Sequence, residues 1–255
     1  MKPLMSSLAL AVAIITLAGC STTSQPDRNT PLGEENLNGS GFLSDVYPLM
    51  KEGKDGEALR VYRNPKYAST ANFTRFTKVL LDPVKLYAGS KSKLKDAPQD
   101  EAKAIAQGFY NQLHEQFGKD YQMVQTPGPD TLRISVAIVD AEASDTSLKA
   151  ASYIPLGIPG AKAVAMKAAT QTTGQPLATG QVTVEGKMYD SQTGEIVAAV
   201  IDRRTGSRRP IIGLFESSTY DKWSDVTAAE KYWAEKMRYR LCMRRAATNC
   251  VDAVE

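Results

Sequence analysis

The sequence predicts an α+β fold: a single domain with an antiparallel or mixed sheet of about five strands, covered on one face by two long helices. Three observations point there. Two segments repeat apolar residues at the helical spacing 3, 4, 4, 4. Several others alternate apolar and polar residues at the strand period, and an Ala/Gly/Pro-rich excursion at 143–179 separates two strand pairs. A hydrophobic content of 42% and a charged content of 23% suit a packed globular protein. The net charge of +3 is too balanced to suggest a nucleic-acid partner.

The chain opens on a basic Met1-Lys2, followed by an apolar run of about ten residues, Leu8 to Leu17. That is the length of a secretory signal core, and a membrane-spanning helix needs about 20. Leu17, Ala18, Gly19 and Cys20 resemble the bacterial lipobox. The resemblance implies a diacylglycerol on the Cys20 thiol and cleavage before it; the other reading is an ordinary signal peptide with an incidental cysteine. Ser21 stands where an Asp would resemble an inner-membrane retention signal, which implies the outer membrane, facing the periplasm. Residues 20–40 have almost no apolar side chains and read as a flexible tether with a stretched reach of about 70 Å. The folded domain is then expected over 41–255, with 1–19 as the signal.

The segment Phe76–Tyr87 reads as a strand interrupted at Pro83. From Pro98 to Phe117 the stripe Ala102, Ile105, Phe109, Leu113, Phe117 predicts a helix, with Pro98 in its first turn and Gly118 just past its end. "YQMVQ" and "TLRISVAIVD" read as two strands joined by "TPGPD", with Leu132, Ile134, Val136 and Ile138 facing the core. A second pair is expected at 180–189 and 195–202, joined by a tight turn between Asp190 and Gly194. Ile196–Ile201 is apolar on both faces, as in a central strand. The 143–179 excursion reads either as a surface segment packing on its own domain or as one that inserts into a membrane or a neighbouring subunit. The last helix, Asp225–Arg245, carries Val226, Ala229, Trp233, Met237 and Leu241, with a capping box at Thr227 and Glu230 or a start at Ser224.

The remaining cysteines, Cys242 and Cys250, suit a disulfide in an oxidising compartment. An unbroken helix would hold their Cα atoms about 12 Å apart, so the helix must end between them, around Thr248-Asn249. A buried free thiol or a redox pair are the alternatives.

Candidate chemistry is sparse. His114 is the one histidine, which argues against zinc and against a serine nucleophile with a histidine base. Asp82, Asp140, Asp190, Glu195 and Asp202 stand near strand ends, where acids serve turns. Arg203, Arg204, Arg208 and Arg209 flank "TGS" and offer a possible anionic contact. A second basic set (Lys236, Arg238, Arg240, Arg244, Arg245) falls in the last half of a helix, where the dipole favours cations. Neither a cofactor nor a metal is implied.

The blocks "GFLSDVYPL" at 41–49, "FTKVLLDPVKLY" at 76–87, "YDSQTGEIVAAVIDRR" at 189–204 and "KWSDVTAAEKYWAEKMRYRL" at 222–241 resemble a bacterial lipoprotein family catalogued as domain of unknown function 3313. The resemblance implies a lipid-anchored, single-domain protein; it assigns no activity and no functional residues. The expected role is a non-catalytic binding or assembly module of the cell envelope. It would contact the membrane through the N-terminal lipid, and another envelope protein or peptidoglycan through the domain. The alternatives are a homo-oligomeric subunit of an envelope or secretion complex that interlocks or inserts through 143–179, and an enzyme acting on wall or lipid.

The lipobox yields the first prediction. In a bacterial host, mass spectrometry of the membrane fraction should find the mature chain beginning at an acylated Cys20, and Cys20→Ser should abolish the acyl mass.

Overall fold

The longest alternating segment becomes the spine of the sheet. The computed structural model describes residues 23–28, 40–88, 92–145, 179–206 and 222–254. In chain order it contains β1 (Thr23–Ser24), β2 (Lys51–Glu52), β3 (Arg60–Arg63), α1 (Thr70–Thr74), β4 (Lys78–Leu81) and β5 (Lys85–Leu86). These are followed by α2 (Gln99–Gly118), β6 (Gln122–Met123), β7 (Thr131–Glu142), β8 (Gln181–Asp190), β9 (Ile196–Gly206) and α3 (Ser224–Arg244).

The strands form one mixed sheet in the order β2-β3-β9-β8-β7-β4-β6, with β1 also on β9 and β5 also on β7. The three long strands β7, β8 and β9 are antiparallel neighbours, while β4 and β5 run parallel to β7. Nine strands replace the expected five. The physical reason is length: β1, β2, β5 and β6 hold two residues each, too few to show alternation in sequence. Phe76–Tyr87 splits into β4 and β5 on either side of Pro83. "YQMVQ" supplies β6, which pairs in parallel with β4 and not with β7.

The predicted stripes meet as one core. Leu132, Ile134, Val136 and Ile138 are at most 2% exposed and pack with Phe109, Leu113 and Phe117 of α2 and Val226, Ala229 and Trp233 of α3. On the opposite face Leu43 and Val46 cover Leu59, Ala199 and Ile201, a smaller apolar cluster. β9 is therefore central, as its double-sided apolar run suggested. The β8–β9 turn uses Asp190 as expected: its Oδ1 accepts from Gln192 N at 3.1 Å, and Gly194 takes φ +73°.

Residues 23–28 correct the expected tether. Thr23 and Ser24 pair with Gly206 and Thr205, and Thr23 is 4% exposed. The start of α3 also differs from the capping-box reading. The helix begins at Ser224 without a side-chain cap, and Glu230 is buried against Gly108 and Gln112 of α2. At the other end α3 stops at Arg244, and Ala246 and Asn249 take positive φ, at 51° and 67°. The tail folds back so that Cys242 and Cys250, with Cα atoms 5.7 Å apart, form a disulfide.

Burial pushes the Glu230 carboxyl up to about 8, and neither Gly108 nor Gln112 offers a compensating charge. Glu230 Oε1 and Gln112 Oε1 find no hydrogen-bond partner among the described residues. A proton on Glu230 turns a buried acceptor into a donor. Between its ordinary 4.5 and about 8 the folded chain holds a proton that the unfolded chain has released. This group's contribution is therefore most favourable below 4.5, and stability falls as pH rises through that window. Glu230→Gln, which keeps the shape without the charge, should be more stable than the parent above pH 8 by a few kcal/mol, on the order of the cost of ionising the group. Urea unfolding at pH 4 and pH 9 checks this: the gap between the two proteins should be large at the higher pH and small at the lower.

Candidate binding cleft

Helix α3 is held at three places, to the sheet end at its first turn, to β9 at its middle and to neighbouring loops at its end, and stands off the sheet between them. At its first turn, Asp225 Oδ2 accepts from Ser144 Oγ at 2.6 Å and from Gly180 N at 2.9 Å. The same carboxylate lies against Gly206, where a Cβ would fall 2.2–2.6 Å from its atoms, so only glycine fits there. In the middle, Trp233 Nε1 donates to Asp202 Oδ2 of β9 at 2.7 Å. Towards its end, Arg238 grips Asp120 with a two-pronged bond at 2.7 and 3.1 Å, Arg245 donates to Asp120 O at 3.1 Å, and Arg244 donates to Tyr67 O.

Opposite the second half of α3 the sheet carries small residues, notably Gly186 and Ala198. A Cβ on Gly186 would stand 3.3 Å from Val200 Cγ2, so that floor stays low. The result is a cavity of about 720 Å³. Its walls are apolar: Val61, Val136, Val184, Met188 and Val200 from the sheet, and Phe109, Met237 and Leu241 from the helices.

One end of the cavity is polar and closed. Asp202, 5% exposed, accepts from Trp233, from Gln25 Nε2 and, at 3.2 Å, from Leu59 N. Burial pushes its pKa up, against these donors and the nearby charge of Arg204. Arg204 itself is 1% exposed. Its guanidinium lies 3.5 Å over the Tyr232 ring and donates to Thr23 Oγ1 at 2.9 Å and Thr23 O at 2.6 Å.

The rim on the α3 side is rich in cations. Among the described residues Arg63, Lys236, Arg240 and Arg244 line it together with the carboxylates of Glu57 and Asp252. Arg63 pairs with Glu57 at 2.7 Å and Lys236 with Asp252 at 2.8 Å, while Arg240 donates to Gly56 O at 2.6 Å. Burial, and then the charge of Arg63, lowers the pKa of Arg244. The disulfide-tied tail contributes Asp252 and Ala253 to the same rim.

The structure scatters the other candidates. Arg203 and Arg204, expected beside a loop-like insertion, belong to β9, which runs on to Gly206; both are buried. Arg203 donates to Thr183 Oγ1 at 2.6 Å, a bond inside the sheet. Arg208 and Arg209 lie outside the described residues, as do Leu17, Ala18, Gly19, Cys20 and 146–178 of the expected excursion. Asp82 sits on the face away from α2 and α3, joined to Arg133 at 2.9 and 3.0 Å and to Ser135. Asp140 accepts from Lys93 N at 2.8 Å. Asp190 and Glu195 share Tyr67 at the β8–β9 turn, where burial and these two acids push the tyrosine up to about 12. His114 is half-buried on α2, its ring 5.9 Å from Tyr110. Among the described residues no group of three His, Cys, Asp or Glu could hold a metal. Of the five acids, Asp202 alone lines the cleft. Its partners Gln25 and Trp233 lie far from it in sequence; the only hint was an acid closing a doubly apolar strand.

Fold and cleft together define an α+β protein in which helices roof a mixed sheet. The chain belongs to the family described as "Protein of unknown function (DUF3313)", whose model matches residues 38–237. No curated protein matches it. Among solved structures it is similar to the PelC dodecamer from Paraburkholderia phytofirmans, at 12% identity over 74% of this chain and 97% of that one, with a TM-score of 0.35. It is also similar to protein XCC0632 from Xanthomonas campestris, at 10% identity over 72% and 92%, with a TM-score of 0.36. At these values the likeness says nothing of what this chain does.

Trp233 closes the polar end of the cleft. Trp233→Phe should leave Asp202 Oδ2 without its indole donor and lower stability by about 1–3 kcal/mol, read as a lower urea midpoint at pH 7.

Proposed function

We propose that the chain is an outer-membrane lipoprotein, anchored through an acylated Cys20, and that its domain is a non-catalytic binding module of the cell envelope. The observation that carries this reading is the cleft beneath α3. Its volume of about 720 Å³ falls within the range of small-molecule sites, roughly 300–1,000 Å³. Apolar walls and a cationic rim match an amphiphile with one apolar chain and an anionic head. The chain would lie along Met188, Met237 and Leu241, and the head, a carboxylate or phosphate, would meet Arg240 and Arg244 at the rim. The non-catalytic part draws support from how the polar groups are used: Asp202, Arg204 and Trp233 are bound to one another's elements and brace the walls.

A fluorescent fatty acid, displaced by unlabelled fatty acid or lysophospholipid, tests the reading on the full chain. Met237→Trp should fill the cleft from its half-buried position on α3 and weaken probe binding at least tenfold. Arg240→Ala with Arg244→Ala should weaken it several-fold and reduce its salt dependence. Equal binding by parent and Met237→Trp, with an unchanged urea midpoint, would remove the cleft from the account.

A further inference from the structure

β1 runs antiparallel to β9, with Thr23 opposite Gly206 and Ser24 opposite Thr205. Thr23, the first residue of β1, therefore lies beside the C-terminal end of β9. This segment is firmly held. Arg204 binds Thr23 twice, Gln25 donates to Asp202 and to Glu57 O, and Arg28 donates to Leu59 O at 3.1 Å and Glu57 O at 3.0 Å. Only Ser21 and Thr22 separate Thr23 from Cys20. Three residue steps span at most about 10–11 Å, against about 70 Å for the tether the sequence suggested.

The same end of the sheet carries the end of β7, the start of β8, the end of β9 and the residue before Trp223 and α3. Gly206 N donates to Gly180 O at 2.9 Å, Ser144 N donates to Lys222 O at 2.8 Å, and Asp225 ties Ser144 and Gly180 together. The opposite end is the β8–β9 turn at Ser191–Gly194. Ten residues of β8 separate the two ends, about 33 Å at the usual rise.

From these positions we infer that the end of the sheet marked by Thr23, Gly180, Gly206 and Lys222 is the surface turned to the lipid bilayer, with the β8–β9 turn pointing away. The inference rests on acylation of Cys20, the first part of the proposed function. Acyl chains seated in the bilayer supply the affinity, and one chain alone would bind only weakly. A leash of about 10 Å then keeps the β8–β9 end, about 33 Å away, out of reach of the bilayer surface. The described side chains of this surface suit contact with headgroups: Lys222 pairs with Glu101, Lys93 with Glu142, and none of the four carries its charge into the core.

The three native cysteines are engaged, two in the disulfide and Cys20 by the lipid, so an introduced cysteine is the sole free thiol. Lipidated protein carrying a fluorophore at Lys222→Cys or at Gln192→Cys is placed on phosphatidylethanolamine–phosphatidylglycerol vesicles with an acceptor dye on a fraction of the headgroups. Energy transfer should be at least several-fold stronger from position 222 than from 192. A twenty-residue Gly/Ser insertion between Thr22 and Thr23 should narrow that difference. Equal transfer from both positions without the insertion, or stronger transfer from 192, overturns the orientation. An acyl-free Cys20 by mass spectrometry, with no vesicle binding, overturns the anchor itself and is a distinct result.

Discussion

One carboxylate holds this architecture in register. Asp225 stands in the first turn of α3, a favourable place for negative charge, yet its oxygens reach across to the sheet. It accepts from Ser144 just past β7 and from Gly180 just before β8, and it rests on the bare Cα of Gly206 at the end of β9. Three strands and a helix are thereby tied at one corner. A side chain on Gly206 would collide with the carboxyl atoms, so the glycine and the aspartate depend on each other.

Fixing α3 at that corner sets the course of the whole helix. Trp233 then meets Asp202 midway, and the arginines of the last turns meet Asp120 and Tyr67. Between these fixed points the helix cannot collapse onto Gly186 and Ala198, and the space beneath it persists as the cleft. The cost is concentrated at Asp202, a buried acid whose pKa burial raises and whose oxygens are met by indole, amide and backbone donors. Arg204 extends the same network to Thr23 and so binds the N-terminal segment to the sheet. Cleft and N-terminal attachment are thus parts of one polar system.

The C-terminal tail completes the rim by covalent means. Cys242 and Cys250 are eight positions apart, and the left-handed residues Ala246 and Asn249 turn the chain back. The returning tail places Asp252 beside Lys236 and leaves Met243, Val251 and Val254 exposed, between 54% and 73%. The disulfide holds this tail beside the cationic rim.

The sequence by itself determined the helices, the long strands and the β8–β9 turn, because each has a period or a punctuation of its own: the stripes of α2 and α3, the alternation of Leu132 to Ile138, and Asp190 with Gly194. It also determined that Cys242 and Cys250 could meet only if the helix ended between them. Tertiary structure alone decided the rest. Two-residue strands such as β1 and β6 carry no pattern and exist because a neighbouring strand offers them hydrogen bonds. Arg203 and Arg204 read as part of an anionic contact, since nothing local reveals that Thr183, Thr23 and the Tyr232 ring wait for them. Glu230 read as a cap because its spacing from Thr227 is local, whereas its burial against Gly108 and Gln112 is set by how two distant helices cross. The cleft is the clearest case: it is a space left between elements, and a space has no residues of its own to show in a sequence.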